Sequence, residues 1–216
     1  TSLLEGLSGI LKSNGDDTKL DVIVCAAGGF QMDPKMPYPT HTHDEVCDIA
    51  HNYSESIEQM LQVNLHPPLA ANFAAHQHMN ADGLFVIIGA TAALNATPGM
   101  MGYGISKLAA HHVVYTVGET TLKSNVTKAK RKAMQPVRKH APYLDTLSVV
   151  GVLPTTIDTP ANRKSMPDGN FDTWVQPDDI AKEIGNWTKT PSLRPHSGAL
   201  VKVVRDKTGA AFRLVR

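Results

Sequence analysis

The chain has 216 residues, enough for one α/β domain with its own core. Hydrophobic residues at 42% and charged residues at 19% exclude a disordered chain, and a net charge of +1 excludes a global pull toward nucleic acid or an anionic membrane. No apolar run approaches the ~20 residues that span a bilayer, no secretory leader is visible, and two cysteines make no disulfide framework, so a cytoplasmic enzyme is expected.

Residues 1–12 carry apolar side chains at 3, 4, 7, 10 and 11, a helical spacing that Asn14-Gly15 stops. Leu20 to Cys25, LDVIVC, reads as a strand apolar on both faces, which predicts a neighbour on each side. Cys25 closes it as a buried free thiol. Ala26 to Gly29 follows, a turn of small residues that lets the backbone approach a ligand closely. Residues 31–52 read as a Pro- and His-rich loop. His41 and His43 with Asp44 or Glu45 have metal-binding chemistry, but no third spaced ligand set accompanies them, so a solvated loop and no metal are expected. From about Ser54 to Met79 a helical pattern runs through Met60, Leu61, Leu65, Leu69, Phe73 and Ala74, with Pro67-Pro68 placed to bend or interrupt it.

Gly83 opens the turn into the buried strand Leu84–Ile88, and a loop with Pro98-Gly99 leads to a helix beginning near Met101. On that helix Tyr103 and Lys107 lie four residues apart and share one face. A lysine beside a phenol favours the phenolate and so makes a proton donor usable near neutral pH. The helix continues through Leu108, Ala109, Ala110, Val113, Val114 and Val117. Residues 120–145 gather Lys123, Lys128, Lys130, Arg131, Lys132, Arg138 and Lys139 against a single acid, Asp145; without interleaved aromatics they read as a solvated extension rather than a nucleic-acid arm. Leu147 to Leu153 is the next buried strand, ended by Pro154, and 160–173 has the small and charged residues of a lid. Gln176-Pro-Asp-Asp starts a helix that Asp178 or Asp179 would cap and that runs to about Trp187, and residues 197–204 form a final strand.

Three stretches, CAAGGF (25–30), GATAALNATPGMMGYGISK (89–107) and LPTTIDTPANRKSMP (153–167), give the chain a resemblance to the short-chain dehydrogenase/reductases, and within them to the dihydropteridine reductases. The resemblance implies a Rossmann-like doubly wound parallel sheet in three α/β/α layers. It implies Tyr103 and Lys107 as the catalytic pair and NADH as cofactor, with NADPH an alternative. Cofactor contacts would fall at Ala27, Gly28, Gly29, Tyr103, Lys107, Pro154, Ile157 and Thr159. Quinonoid dihydropterin would be the substrate, against Phe30, Ala90 and Asn162, with Phe30 either stacking on the pterin or serving as core. The helices at 54–79 and 101–119 would either build a homodimer or bury their apolar faces within one subunit.

Several positions depart from the wider superfamily pattern. The serine usually found thirteen residues before the tyrosine is Ala90, a loss that dihydropteridine reductases share. Cys25 and Ala26 replace an Asn pair, and Thr155 replaces a Gly while Thr159 keeps its Thr. Asn64 occupies the place of a helix Asn that binds a relay water in many members; its role here is left open. No G-x-x-x-G-x-G is present, and the family would place roughly fifty residues ahead of Thr1. Residues 1–216 are therefore expected to form a single domain lacking its first βαβ portion. A carbonyl reductase, from which Ala90 detracts, and a non-catalytic cofactor sensor, from which the retained Tyr103 and Lys107 detract, are the alternatives.

Overall fold

The computed structural model describes residues 19–36, 41–121 and 147–215; the expected helix at 1–12 and nearly all of the basic stretch at 120–145 lie outside them. Strand β1 (Leu20–Cys25) leads to helices α1 (His43–Asn64) and α2 (His66–His78), then β2 (Met79–Ile88), helix α3 (Met101–Thr121) and β3 (Ser148–Pro154). A short helix α4 (Pro160–Ser165), helix α5 (Pro177–Lys189) and the pair β4 (Ala199–Asp206) and β5 (Gly209–Leu214) complete the order. The five strands form one sheet in the order β1-β2-β3-β4-β5. The first four are parallel, and β5 returns antiparallel on β4.

The alternation within the strands builds the layers. In β2, Phe85 and Ile87 point to one side, where they meet Ala110, Val114, Val149, Leu153 and Ala75. Leu84 and Val86 point to the other, against Val150, Val152, Ile180, Ile184 and Trp187. Both sets are buried because β2 and β3 are covered by helices on each face, α2 and α3 on one and α5 on the other. Each such side chain stabilises the fold by roughly 1.5–3 kcal/mol. The parallel strands β1, β2 and β3 thus end side by side at Cys25, Ile88 and Pro154, the edge at which open α/β sheets gather ligands.

Four expectations are corrected. Helix α1 starts at His43, not near Ser54, because Thr42 and Glu45 form a capping box, each side chain serving the other's main chain, with Asp44 and Glu45 in the first turn. Strand β1, expected to be buried on both faces, is only half-buried over most of its length, with Val24 43% exposed; among the described residues it pairs with β2. Helix α5 has no side-chain cap: Gln176 is the cap residue, and Asp179 instead pairs with Arg205. Residues 197–204 are not the final strand: the Asp206 carboxylate accepts from the Thr208 N–H and hydroxyl and turns the chain into β5. Pro67 and Pro68 do interrupt the long helix; they sit in the first turn of α2, after a break at Leu65.

Among the described residues no helix is long and apolar enough to cross a membrane. An apolar stripe is nonetheless exposed: Leu69 and Phe73 on α2, and Met101, Ile105 and Leu108 on α3.

Candidate active site

The turn after β1 is held from the end of α1. Asn64, 1% exposed, accepts from the Gly29 N–H and donates to the Gly29 carbonyl, both at 3.0 Å. Its amide also reaches the Ser106 hydroxyl at 3.2 Å, which in turn donates to the Tyr103 carbonyl at 2.9 Å. One carboxamide therefore ties the small-residue turn to the helix that carries Tyr103. A Cβ on Gly28 would lie 2.8 Å from both Asn64 Oδ1 and Lys107 Nζ. Only a bare glycine allows the turn to pass so close to both groups, and its surface stays open to solvent.

Helix α3 begins at Met101, as its spacing predicts, and sets Tyr103 and Lys107 one turn apart. Lys107 is buried at 6% exposure, and its ammonium donates to the Ile88 carbonyl at 3.2 Å. Burial pushes the amine below its ordinary value, with the Cys25 thiol opposing. Burial also pushes the Tyr103 phenol above its ordinary 10. Burial alone accounts for that rise, and the Lys107 amine donates to a strand-end carbonyl. The exposed Phe30 ring meets Tyr103 edge-on, with centroids 5.1 Å apart and planes at 79°.

Ala90 is buried, and its N–H donates to His111 Nε2 at 3.2 Å. His111 is wholly buried one turn beyond Lys107, with no partner for Nδ1, and burial with the nearby Lys107 charge lowers its pKa to about 4. A Cβ on Gly89 would fall 2.4 Å from the imidazole, so glycine is needed there too. The ring accepts through Nε2, which places its proton on Nδ1. Lys107 and His111 thus grip the end of β2 on either side of Gly89, one as donor and one as acceptor. The neighbouring Thr91 hydroxyl is committed to the Leu153 carbonyl at 2.7 Å.

Pro154, Ile157, Thr159 and Asn162 form a second group. Pro154 ends β3 and is buried. Ile157 pairs with Val175. The Thr159 hydroxyl caps α4 by accepting from the Asn162 N–H at 3.2 Å, and the Asn162 amide donates to the Ile157 carbonyl at 2.8 Å. Asp158 takes a two-pronged contact from Arg163, at 2.5 and 2.7 Å, and one from Gln176 at 2.9 Å, which hold its carboxyl down at about 2. Arg163 also lies 4.4 Å over the Phe171 ring. The Ala27–Gly29 turn, Phe30, Tyr103 and Lys107 are thus brought together, while Ile157, Thr159 and Asn162 hold one another. Asn64 and His111 emerge as the residues that position the first group. His111 carries a signal in the sequence, its i+4 spacing from Lys107.

The short chain dehydrogenase family profile matches residues 10–169. A dihydropteridine reductase of Dictyostelium discoideum is 33% identical over 193 residues, which is 89% of this chain and 70% of the relative. Among solved structures, BdcA in complex with NADPH superposes with a TM-score of 0.60 at 18% identity, over 97% of this chain and 72% of that one. Landomycin C-6 ketoreductase LanV with bound NADP and rabelomycin gives 0.58 at 20% identity, over 93% of this chain and 66% of that one. These two likenesses concern the fold. With the family profile and the curated relative they lead to one statement: the chain belongs to the short-chain dehydrogenase/reductase family of NAD(P)-dependent oxidoreductases.

Proposed function

We propose that the protein reduces quinonoid dihydropterin to tetrahydropterin at the end of β1, β2 and β3. What carries this reading is an exposed aromatic, Phe30, held against Tyr103 at a site whose usual second hydroxyl donor is Ala90. Thr91 does not replace that donor, because its hydroxyl is committed to Leu153. A site with one phenol and an aromatic platform suits an electron-poor ring better than a plain carbonyl, which wants two donors on its oxygen. The 33% identity to a protein named dihydropteridine reductase supports the same substrate.

A bound NADH or NADPH supplies the hydride. The chain's own part is orientation and proton delivery. Tyr103, kept protonated by its buried setting, donates to the ring nitrogen that gains charge. Lys107 lies beside the open face of Gly28, where its ammonium can hold the ribose hydroxyls. Ala27, Gly28 and Gly29 offer main chain without side-chain bulk. Pro154 and Ile157 would line the nicotinamide side, and the Thr159 hydroxyl, which accepts from Asn162, would offer its proton to a carboxamide oxygen. Asn162 closes the substrate side from the lid. The exposed Leu69, Phe73, Met101, Ile105 and Leu108 would be covered by a second copy, giving a homodimer.

Following NADH oxidation with quinonoid dihydropterin, with simple ketones and with no acceptor tests the substrate. Turnover confined to the pterin is expected. Turnover of ketones at comparable kcat/KM would overturn the reading.

A further inference from the structure

The residues just after Phe30 are tied to the start of α3 by a single acid. The Asp33 N–H donates to the Gly99 carbonyl at 2.8 Å. Asp33 Oδ2 accepts from the Met101 N–H at 2.7 Å, and Oδ1 faces the Gly102 N–H at 3.4 Å. A carboxylate brought from 68 residues away thus caps the first turn of α3, where helix N–H groups lack partners and the helix dipole favours negative charge. Met101 is two residues before Tyr103, and Asp33 is three after Phe30.

The contact has a counterpart on the other side of Phe30, where Asn64 holds Gly29 by two hydrogen bonds. Phe30 therefore stands between two anchors, one to the end of α1 and one to the start of α3. It needs them. Phe30, Met32 and Met36 are 53%, 55% and 63% exposed, and an unanchored apolar loop would fold back onto the surface.

We propose that Asp33 is a positioning residue, which holds the Phe30 ring against the Tyr103 phenol by fastening the 30–36 segment to the first turn of α3. The proposal rests on the substrate reading above only in making that ring the pterin platform. Asp33 itself touches no substrate. It acts through the α3 N-terminus, and a displacement of about 1 Å at such a contact is enough to change catalysis by up to ~100-fold.

The test uses Asp33→Ala and Asp33→Asn in the whole protein, the second keeping the shape and one acceptor oxygen for Met101. Two measurements are made: steady-state kinetics and hydrogen–deuterium exchange. Asp33→Ala should raise the KM for dihydropterin roughly tenfold, leave the dissociation constant for NADH within about twofold, and speed exchange at both 30–36 and 99–103 without changing 84–88. Asp33→Asn should recover most of each effect. Unchanged exchange at 30–36 overturns the proposal. So does a uniform loss in which KM, NADH affinity and exchange at 84–88 move together, because that is general destabilisation. If the parent protein fails to reduce dihydropterin but Asp33→Ala still loosens both segments, the anchor stands and the substrate reading falls.

Discussion

Asn64 makes both main-chain hydrogen bonds of Gly29, accepting from its N–H and donating to its carbonyl at 3.0 Å each. The carboxamide pairs with this residue as a neighbouring strand would, and it spends its remaining N–H on Ser106 below Tyr103. Replacing it with alanine leaves two main-chain groups unpaired in a partly buried place, at about 1–3 kcal/mol for each unsatisfied group. Asn64→Ala should therefore destabilise the protein by about 2–6 kcal/mol, toward the lower end because Gly29 is only partly buried, read as a lower urea midpoint. An unchanged midpoint would mean that water serves Gly29 equally well.

Tyr103→Phe separates the two things that Tyr103 does. Phenylalanine keeps the edge contact with Phe30 and loses only the hydroxyl. Turnover should fall by ~10²–10⁴-fold, the usual worth of a positioned acid, while the affinity for NADH changes little. Adding Lys107→Ala should cost far less than the sum of the two single changes if the residues act as a unit. Turnover within a few-fold of the parent would remove Tyr103 as the donor.

Much of this arrangement was legible in the sequence, and the rest divides by physical cause. Strand β2, its partner β3 and the start of α3 follow from local pattern: buried β-branched runs and a 3.6-residue spacing. The beginning of α1 was written in Thr42-x-x-Glu45, but the prolines and histidines around it read as loop. Strand β5 was missed because its sequence, GAAFRL, has no strong alternation and is held by pairing with β4. The Asn64–Gly29, Asp33–Met101 and Ala90–His111 contacts span 35, 68 and 21 residues, and no local pattern encodes such pairings. Spacing on a helix likewise shows that a lysine lies near Tyr103, but not that its ammonium donates to the Ile88 carbonyl or that burial raises the phenol.

His111 gives a stability prediction whose sign follows from its surroundings. Its pKa falls from 6.5 to about 4 on folding, so the folded state resists a proton that the unfolded state accepts. Its neutral form contributes fully above pH 6.5, and stability is lost progressively as pH falls from there toward 4. Between pH 6.5 and pH 5 the loss from this one group should be about 2 kcal/mol. His111→Gln can still accept from the Ala90 N–H but does not titrate. Urea unfolding of both proteins at pH 7.5 and pH 5 should show the parent losing more than the variant by that amount. Equal losses would place the acid sensitivity elsewhere.

Ala90→Ser restores the hydroxyl found at this place in most of the family. Ala90 is buried at 5% exposure, and its N–H is already held by His111. On the proposed reading pterin reduction should change by less than a few-fold, the phenol alone sufficing for an electron-poor ring. A gain of roughly tenfold or more, equivalent to about 1.4 kcal/mol of barrier, would show that the missing hydroxyl is a defect of this site.

Gly28 is the position at which the turn and Lys107 are least able to yield. A methyl group there would meet Asn64 Oδ1 and Lys107 Nζ at 2.8 Å. Neither neighbour has an easy retreat, since Asn64 is bound to Gly29 and Ser106, and Lys107 to the Ile88 carbonyl. Gly28→Ala must push the turn outward or break one of these bonds, and such overpacking costs typically ~1–3 kcal/mol. An outward shift would carry Phe30 away from Tyr103, because Gly29 and Phe30 follow directly in the chain. Gly28→Ala should therefore weaken NADH binding and raise the KM for dihydropterin together, whereas Asp33→Ala acts on dihydropterin alone. Titrating NADH by its fluorescence alongside the kinetics distinguishes the two variants. NADH affinity equal to the parent in Gly28→Ala would show that the cofactor does not lie against this turn.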